Sequence, residues 1–229
     1  MRVYCDIADI TLIKKFNKTK IVDGFTTNPS LIRKAGAKNY KKYCKSILNI
    51  TNKPISFEVF GDNPSEMIKQ GKEIASWGKN VYVKVPIKNS KGTFMGKVIN
   101  TLNGYNIKLN ITAVYTAVQT KKILQNINKR SKVIISIFAG RMADMGKDPV
   151  PQFKSSLKMS KHFPNVKILW ASTREAYNYT QAKQLKCDII TAPPEIINKI
   201  NNFGKSFDQL TIDTVKAFLN DSKKSNFKL

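Results

Sequence analysis

The stretch NVYVKVPI, residues 80–87, has the composition of a buried β-strand but carries a lysine in its middle. Valine occupies every second position from Val81 to Val85, and Pro86 follows directly. Because successive side chains of a strand point to opposite faces, the valines form one face and Lys84 lies on the other. An unpaired charge is costly inside a protein, so the strand predicts that Lys84 has partners and a purpose.

Seven further short apolar runs alternate with helix-like segments along the chain. The predicted strands are 2–6, 22–27, 55–60, 81–86, 107–112, 133–138, 166–172 and 188–192. Helical patterns occupy 63–78, 92–102, 113–127 and 173–186, and an amphipathic helix at about 207–223 follows the last unit. Asn63 with Pro64 predicts one helix start, and Thr173 predicts another.

Eight successive βα units predict parallel strands with right-handed crossovers. The closed form of this arrangement is a single (β/α)8 barrel, which we expect to span residues 1–229 with the C-terminal helix as an addition. A doubly wound open sheet is the alternative. It lacks its usual support here, because no glycine-rich phosphate loop follows the first strand.

The net charge of +25 comes from lysine, which accounts for 35 of the 40 basic residues. Such a charge suggests a polyanionic partner, and a non-catalytic polyanion-binding barrel is a possible function. However, the lysines are scattered along the whole chain, and no basic segment is interleaved with aromatic residues. Specific nucleic-acid binding is therefore not the favoured prediction.

Cysteine, histidine and hydropathy patterns argue against several other classes of protein. Cys5, Cys44 and Cys187 lie far apart without CxxC spacing, so neither a disulfide framework nor a zinc site is predicted. The single histidine, His162, has the setting of a surface residue. No apolar run is long enough for a membrane helix, and acidic residues interrupt the first ten positions. We therefore expect a cytoplasmic protein with no membrane association.

Alternation along the predicted strands places polar side chains on the face that points into the barrel. In 166–172, this pattern groups Ser172 with Ile168 and Trp170 on the interior face. Because the carboxyl ends of parallel strands meet at one mouth, polar residues late in their strands should converge there. These residues are Asp6, Glu58, Lys84, Asn110, Thr112, Ser136 and Ser172.

A buried lysine beside two carboxylates predicts Schiff-base chemistry on an aldehyde or ketone. A neutral amine is a nucleophile for carbonyl carbon, and the carboxylates suit proton transfer before and after an imine forms. The protonated imine accepts the electron pair, so neither a metal nor an organic cofactor is needed. Carbon–carbon cleavage of a sugar is the expected reaction.

Two of the five arginines directly follow predicted strands, and both predict a phosphate-binding group. Arg141 lies in FAGRM and Arg174 in ASTREA. Guanidinium offers a planar fork of donors that matches phosphate oxygens, which an ammonium does not. Gly140 precedes Arg141 and is expected to allow a tight turn there. The substrate predicted from these residues is a sugar phosphate.

The chain resembles the transaldolase family, in the small-subunit branch shared with fructose-6-phosphate aldolase. The similar segments run in order from Asp6 to residues 188–200, and include VDGFTTNPSLI (22–32), VYVKVPI (81–87), LNITAVYTAVQ (109–119), SIFAGRMADMG (136–146) and ASTREAYN (171–178). The resemblance implies a (β/α)8 barrel. Ile137 departs from the proline common in the family, and we expect it to face the helices.

The resemblance also implies a role for each matching residue. Lys84 corresponds to the lysine that forms the imine, Asp6 to the acid/base, and Glu58 with Thr112 to the pair that holds the catalytic water. The positions that bind the dihydroxyacetone unit correspond to Thr26, Asn28, Asn110 and Ser136. The positions that bind the phosphate correspond to Arg141, Ser172 and Arg174.

Two positions bear on which reaction of the family is expected. The aldolases tend to have glutamine where this chain has Glu58, and tyrosine where it has Phe138, so both residues resemble transaldolase. Phenylalanine cannot donate a hydrogen bond that would help water to hydrolyse the imine. Transaldolase is therefore the expected activity, and fructose-6-phosphate aldolase is the alternative.

The resemblance implies substrates and an assembly as well. The substrates are fructose 6-phosphate, sedoheptulose 7-phosphate, erythrose 4-phosphate and glyceraldehyde 3-phosphate. Family members of this size form pentamers or decamers in which the C-terminal helix reaches a neighbour. Leu210, Val215, Phe218 and Leu219 give the predicted helix an apolar stripe, which could dock on a partner or on its own barrel.

Overall fold

A computed structural model describes residues 1–225 of the chain, and it closes eight parallel strands into a barrel. Each strand pairs with the next in sequence, and β1 pairs with β8 to complete the ring. The strands are β1 (Arg2–Asp6), β2 (Gly24–Thr26), β3 (Ile55–Glu58), β4 (Val81–Pro86), β5 (Leu109–Val114), β6 (Val133–Phe138), β7 (Val166–Ala171) and β8 (Ile189–Ala192). The predicted barrel is confirmed, and the open doubly wound sheet is wrong.

Helices connect the strands and form the outer layer of the barrel. They are α1 (Ile10–Asn17), α2 (Pro29–Lys34), α3 (Tyr40–Leu48), α4 (Pro64–Ala75), α5 (Gly96–Gly104), α6 (Ala117–Leu124), α7 (Ala139–Ala143), α8 (Val150–Ser160), α9 (Tyr177–Gln184), α10 (Pro194–Ile200) and α11 (Phe207–Ser225). The single-domain prediction extended to residue 229, and its last four residues lie outside the described part. No helix among the described residues is long and apolar enough to cross a membrane.

The valine face of β4 packs outward and its lysine face points inward, as the alternation predicts. Val81, Val83 and Val85 belong to the main core between the strands and the helices, where Ile137 also lies. A second, smaller cluster of Tyr4, Ile134, Leu169, Ala171 and Ile189 fills the barrel interior, with Tyr82 and Phe138 against it. Lys84 shares the interior side with this cluster.

The predicted faces of β7 are reversed in the structure. Leu169 lies in the interior cluster, whereas Trp170 belongs to the outer core and stacks on Phe153 of α8 with ring centroids 4.5 Å apart. The indole thus fills the outer layer between sheet and helices, and the smaller Leu169 takes the interior position. Ser172 follows the end of β7 with φ +63°, so strand alternation no longer fixes its direction.

One of the two predicted helix caps is correct. Asn63 caps α4, since its side chain accepts a hydrogen bond from the Glu66 N–H. Thr173 does not cap α9, which begins four residues later at Tyr177. The Thr173 hydroxyl instead donates to the Thr191 carbonyl at 2.6 Å, and so ties the end of β7 to β8.

Gly140 is required by close packing at the mouth of the barrel and not by a special turn. A Cβ at this position would lie 1.8 Å from the Ser172 carbonyl oxygen and 2.7 Å from Cγ of Arg174. Only glycine lets the start of α7 approach the segment after β7 so closely. This contact brings the segments that carry Arg141 and Arg174 together.

Candidate active site

A cavity of about 170 Å³ opens at the carboxyl ends of the strands. Twelve residues line it, and ten of them are predicted site residues. Those ten are Asp6, Thr26, Asn28, Lys84, Thr112, Ser136, Phe138, Arg141, Ser172 and Arg174, and the other two are Ala171 and Thr191. Residues from seven of the eight strand ends therefore converge on one small polar cavity, and only β3 contributes none of its lining.

Lys84 reaches the cavity from inside the barrel, with only 7% of its surface exposed. Its ammonium lies 3.0 Å from Oε2 of Glu58 and donates a hydrogen bond to the Thr27 carbonyl at 3.1 Å. The strand register sets this pairing, because Glu58 of β3 is directly opposite Lys84 of β4. Glu58 does not line the cavity but lies beside the amine, where it can exchange a proton with it.

Asp6 enters the cavity from the end of β1 and is held by the hydroxyl of Thr26, which is in turn bonded to Thr191. The Thr26 hydroxyl donates to Oδ1 of Asp6 at 2.6 Å. Since that hydroxyl has one hydrogen, the Thr191 hydroxyl, also 2.6 Å away, must donate to Thr26. Burial raises the pKa of the Asp6 carboxyl, while Lys84 and the Thr26 hydrogen bond act against this rise.

Thr112 presents a buried hydroxyl that has no hydrogen-bond partner among the described residues. A bulge in β5 lies beside it, where the register shifts between Ile111 and Val114 and Ala113 has φ +57°. A buried hydroxyl is seldom left without a partner, so this oxygen is available to a water molecule or a substrate.

Asn110 lies below the cavity and does not line it. The Ser136 hydroxyl donates to Oδ1 of Asn110 at 2.7 Å, and Nδ2 of Asn110 donates to the Ser56 hydroxyl at 3.0 Å. This chain of three side chains crosses the interior from β6 to β3. Its hydrogen bonds give Asn110 a role in holding Ser136, which does line the cavity.

Asn28 combines a structural bond with a free donor. Its Oδ1 caps α2 by accepting a hydrogen bond from the Leu31 N–H at 2.9 Å. Because the carbonyl end of the amide is held in the cap, Nδ2 is the end left to donate to a ligand.

The two arginines lie at the rim of the cavity. Arg174 pairs with Asp144: its Nη2 and Nε donate to Oδ2 at 2.7 and 3.0 Å, and Nε also donates to Oδ1 at 3.2 Å. This hydrogen bonding lowers the pKa of the Asp144 carboxyl. The remaining N–H groups of Arg174 are on the other edge of its guanidinium. Arg141 lies over the Phe138 ring at 5.7 Å.

Thr191 and the Thr27 carbonyl are the site groups that sequence reasoning missed. Alternation in β8 places Thr191 on the interior face late in the strand, which is the signal used for the other strands. The Thr27 carbonyl carries no sequence signal, because every residue has one.

The residues set aside in the sequence lie away from the cavity. His162 is exposed, and the three cysteines are buried and unpaired. Burial raises the pKa of each cysteine thiol, to about 12 for Cys44 and Cys187. Within residues 1–225, no group of three His, Cys, Asp or Glu side chains could hold a metal ion.

Two larger grooves, of about 450 and 630 Å³, lie at the amino ends of the strands. Several lysines line each groove, and among the described residues Asp188 is the only carboxylate that contributes to either one. The ion pair that they contain, Lys167 with Asp188, is largely exposed. The smaller cavity instead brings the buried amine of Lys84 together with the Asp6 carboxylate and five hydroxyl side chains, so it is the candidate active site.

Comparison with known proteins assigns the chain to a family. Residues 3–229 match the family model described as transaldolase/fructose-6-phosphate aldolase. The chain belongs to this family. A protein named "probable transaldolase" from Methanococcus vannielii is 31% identical over 96% of this chain and 97% of its own length. One of the same name from Streptococcus equi subsp. zooepidemicus is 33% identical over the same shares. The resemblance to the transaldolase family is confirmed.

Solved structures of other proteins support the barrel alone. A dihydrodipicolinate synthase superposes with a TM-score of 0.61 at 11% identity, covering 86% of this chain and 71% of its own. A monomeric dihydrodipicolinate synthase variant gives 0.58 at 10% identity, with 84% and 69% covered. At such low identity the similarity concerns the fold of this transaldolase-family chain and not its reaction.

The raised pKa of Asp6 predicts that this carboxylate destabilises the folded protein at neutral pH. When the folded pKa lies above the unfolded one, the stability contributed by the group is present at low pH and lost as pH rises through the folded pKa. Asp6→Asn should therefore raise Tm at pH 8, with a smaller difference at pH 4. Each ~1 kcal/mol gained in the free energy of unfolding raises Tm by about 2–4 °C in a chain of this size.

Thermal unfolding followed by circular dichroism at both pH values measures this difference. Asp221→Asn, which makes the same change at an exposed position on α11, is the matched control. A lower Tm for Asp6→Asn at pH 8 would contradict the prediction.

Proposed function

We propose that this protein is a transaldolase that moves a dihydroxyacetone unit between sugar phosphates through an imine on Lys84. The observation that carries the proposal is the Lys84 amine, which lines the cavity of a transaldolase-family barrel beside Glu58. Fructose 6-phosphate and sedoheptulose 7-phosphate are the proposed donors. Erythrose 4-phosphate and glyceraldehyde 3-phosphate are the acceptors, as in the non-oxidative pentose phosphate pathway of the cytoplasm.

Imine formation uses the ion pair between Lys84 and Glu58. The carboxylate accepts a proton from the ammonium 3.0 Å away, which frees the amine to attack the ketose C2 carbonyl. The resulting carbinolamine then loses its hydroxyl as water, with the proton returned by Glu58, and leaves a protonated imine. Thr112 supports this step, because its free hydroxyl can hold the water that departs and later returns.

Cleavage and transfer use the Asp6 carboxylate. Asp6 accepts the proton of the ketose C4 hydroxyl as the C3–C4 bond breaks, and the electron pair of that bond flows into the iminium. An aldose phosphate leaves, and an enamine of dihydroxyacetone stays on Lys84. The enamine attacks the aldehyde carbon of the acceptor, Asp6 returns the proton to the new hydroxyl, and water hydrolyses the imine.

The rim arginines account for a phosphorylated substrate. Arg141 and Arg174 lie on adjacent segments held together at Gly140, and both face the entrance of the cavity. Together with the Ser172 segment they can bind the terminal phosphate of either donor or acceptor. This shared site suits a reaction in which one aldose phosphate replaces another.

The Schiff-base assignment is tested by trapping the imine. Borohydride added with fructose 6-phosphate should fix sugar-derived mass on Lys84, located by peptide mass spectrometry. Lys84→Met should abolish trapping and lower kcat/KM by about 1,000-fold or more, because no other amine replaces the nucleophile. Lys69→Met, at an exposed position on α4, is the control. Equal trapping in Lys84→Met would show that the assignment is wrong.

Phe138 is predicted to favour transfer over free aldolase activity. Its ring lines the cavity and offers no hydrogen-bond donor, so the three-carbon adduct waits for an acceptor. Phe138→Tyr should raise the release of dihydroxyacetone from fructose 6-phosphate by about tenfold in the absence of acceptor, since one oriented proton donor can contribute this much or more.

The measurement compares dihydroxyacetone release with and without erythrose 4-phosphate. Fast release by the wild-type enzyme without acceptor would favour the fructose-6-phosphate aldolase alternative. No turnover at all, with salt-sensitive binding to nucleic acid, would favour the polyanion-binding barrel that the +25 charge suggests.

The C-terminal helix is proposed to join copies of the chain into a pentamer or decamer. Helix α11 has no buried residue, and its exposed apolar side chains include Phe207, Val215 and Phe218. A stripe of this kind indicates a contact surface and not a part of the barrel core.

Phe218→Glu should dissociate this assembly, because a carboxylate would be buried in an apolar contact. Lys216→Glu adds the same group at an exposed position of the same helix and serves as the control. Light scattering should give a mass several times that of the chain for the wild type and the control, and a lower mass for Phe218→Glu. An unchanged mass for Phe218→Glu would contradict the role of this face.

A further inference from the structure

The end of β3 lacks a strand partner on one side. The last backbone bond from the β2 side is from the Thr27 N–H to the Ser56 carbonyl, at 3.2 Å. The chain then turns at Asn28 into α2. Glu58 lies two residues beyond Ser56, so its N–H and C=O point to the side that β2 has left. Backbone groups in this position need another partner.

The hydroxyl of Tyr40 supplies both missing bonds. It accepts a hydrogen bond from the Glu58 N–H at 3.0 Å and donates one to the Glu58 carbonyl at 2.9 Å. Tyr40 begins α3, in the connection between β2 and β3, and its ring packs at 5.2 Å from Phe60 and 6.2 Å from Trp77. A single side chain thus replaces one rung of the strand ladder at Glu58.

We propose that Tyr40 is a positioning residue for the reacting lysine, acting through the backbone of Glu58. The inference rests on the proposed function. The hydroxyl fixes both backbone groups of the residue whose carboxylate lies 3.0 Å from Nζ of Lys84. Tyr40 itself does not line the cavity, so its effect on the reaction passes through Glu58.

The physical consequence concerns the ionisation of Lys84. Two carboxylates face Lys84, Glu58 of β3 at 3.0 Å and Asp6 at the end of β1, and both stabilise its ammonium form, whereas burial favours the neutral amine. Without the Tyr40 hydroxyl, the end of β3 is free to move and the Glu58 carboxylate is held less closely. Lys84 then loses its proton at lower pH, while Glu58 is placed less well for proton transfer. The two effects should shift the pH profile and reduce kcat.

Burial raises the pKa of the Tyr40 phenol. The hydroxyl therefore keeps its proton throughout the working range, and its bonds to Glu58 do not themselves depend on pH. A pH shift in a variant at this position reports on Lys84 and Glu58.

The test compares Tyr40→Phe with Tyr43→Phe. Phenylalanine keeps the ring contacts of Tyr40 with Phe60 and Trp77 and removes only the hydroxyl. Tyr43 is on the same helix, and its hydroxyl donates to the Ala8 carbonyl at 3.0 Å. Tyr43→Phe therefore also removes a hydroxyl that ties α3 to the barrel, but one that does not bond to Glu58. Circular dichroism checks that both variants are folded.

Two readouts are taken for each variant. Reductive methylation of Lys84, followed against pH by peptide mass spectrometry, gives the midpoint of its deprotonation without any sugar. For Tyr40→Phe we expect this midpoint to fall by about half a pH unit. We also expect kcat with fructose 6-phosphate and erythrose 4-phosphate to fall by about tenfold, with KM within about twofold. Tyr43→Phe should leave the midpoint unchanged.

An unchanged midpoint in Tyr40→Phe overturns the inference, as does an equal shift in both variants, which would indicate a general effect of loosening α3. The methylation readout does not depend on turnover. If the wild-type protein traps no sugar on Lys84, the proposed function fails, and the midpoint shift still decides whether Tyr40 positions the pair.

Discussion

The ammonium of Lys84 lies inside the barrel, 3.0 Å from the Glu58 carboxylate, and the arrangement of the mouth depends on this pair. Removing two charges from water costs several kcal/mol per ion, which the pair recovers only with good geometry and additional hydrogen bonds. The parallel register of β3 and β4 supplies the geometry by placing the two residues opposite each other. The Thr27 carbonyl supplies a further bond to the amine.

Two polar groups of the site lower the stability of the folded protein. Asp6 is buried enough for its pKa to rise, and Thr112 keeps a buried hydroxyl without a partner among the described residues. Both features oppose folding, and the large apolar core outside the strands must compensate for them. Such groups are typical of binding and catalytic sites, where the ligand supplies the interactions that the folded protein lacks.

Sequence reasoning predicted the barrel and the inward-facing Asp6, Lys84, Thr112 and Ser136 because these depend on local periodicity, whereas Thr26 and Asn28 were implied only by the resemblance to the family. Eight apolar runs in βα order allow few topologies, and alternation within a strand fixes which side chains point inward. That reasoning failed at the end of β7, where Ser172 leaves the strand conformation and large residues face outward. It also failed for Thr173, whose hydroxyl bonds to a neighbouring strand and not to its own helix. Such contacts join residues that are distant in sequence, so no local pattern reveals them.

The interior cluster of Tyr4, Ile134, Leu169 and Ile189 closes the barrel from below. The chain of Ser136, Asn110 and Ser56 lies above that apolar plug, so among the described residues apolar side chains occupy the barrel axis beneath the cavity. In the proposed reaction, everything enters and departs through a single opening beside the arginines. The cavity is small, and the first aldehyde must vacate it before the second arrives. The architecture itself would then make the two half-reactions alternate. Between them, the enzyme would retain the three-carbon unit, which is held covalently.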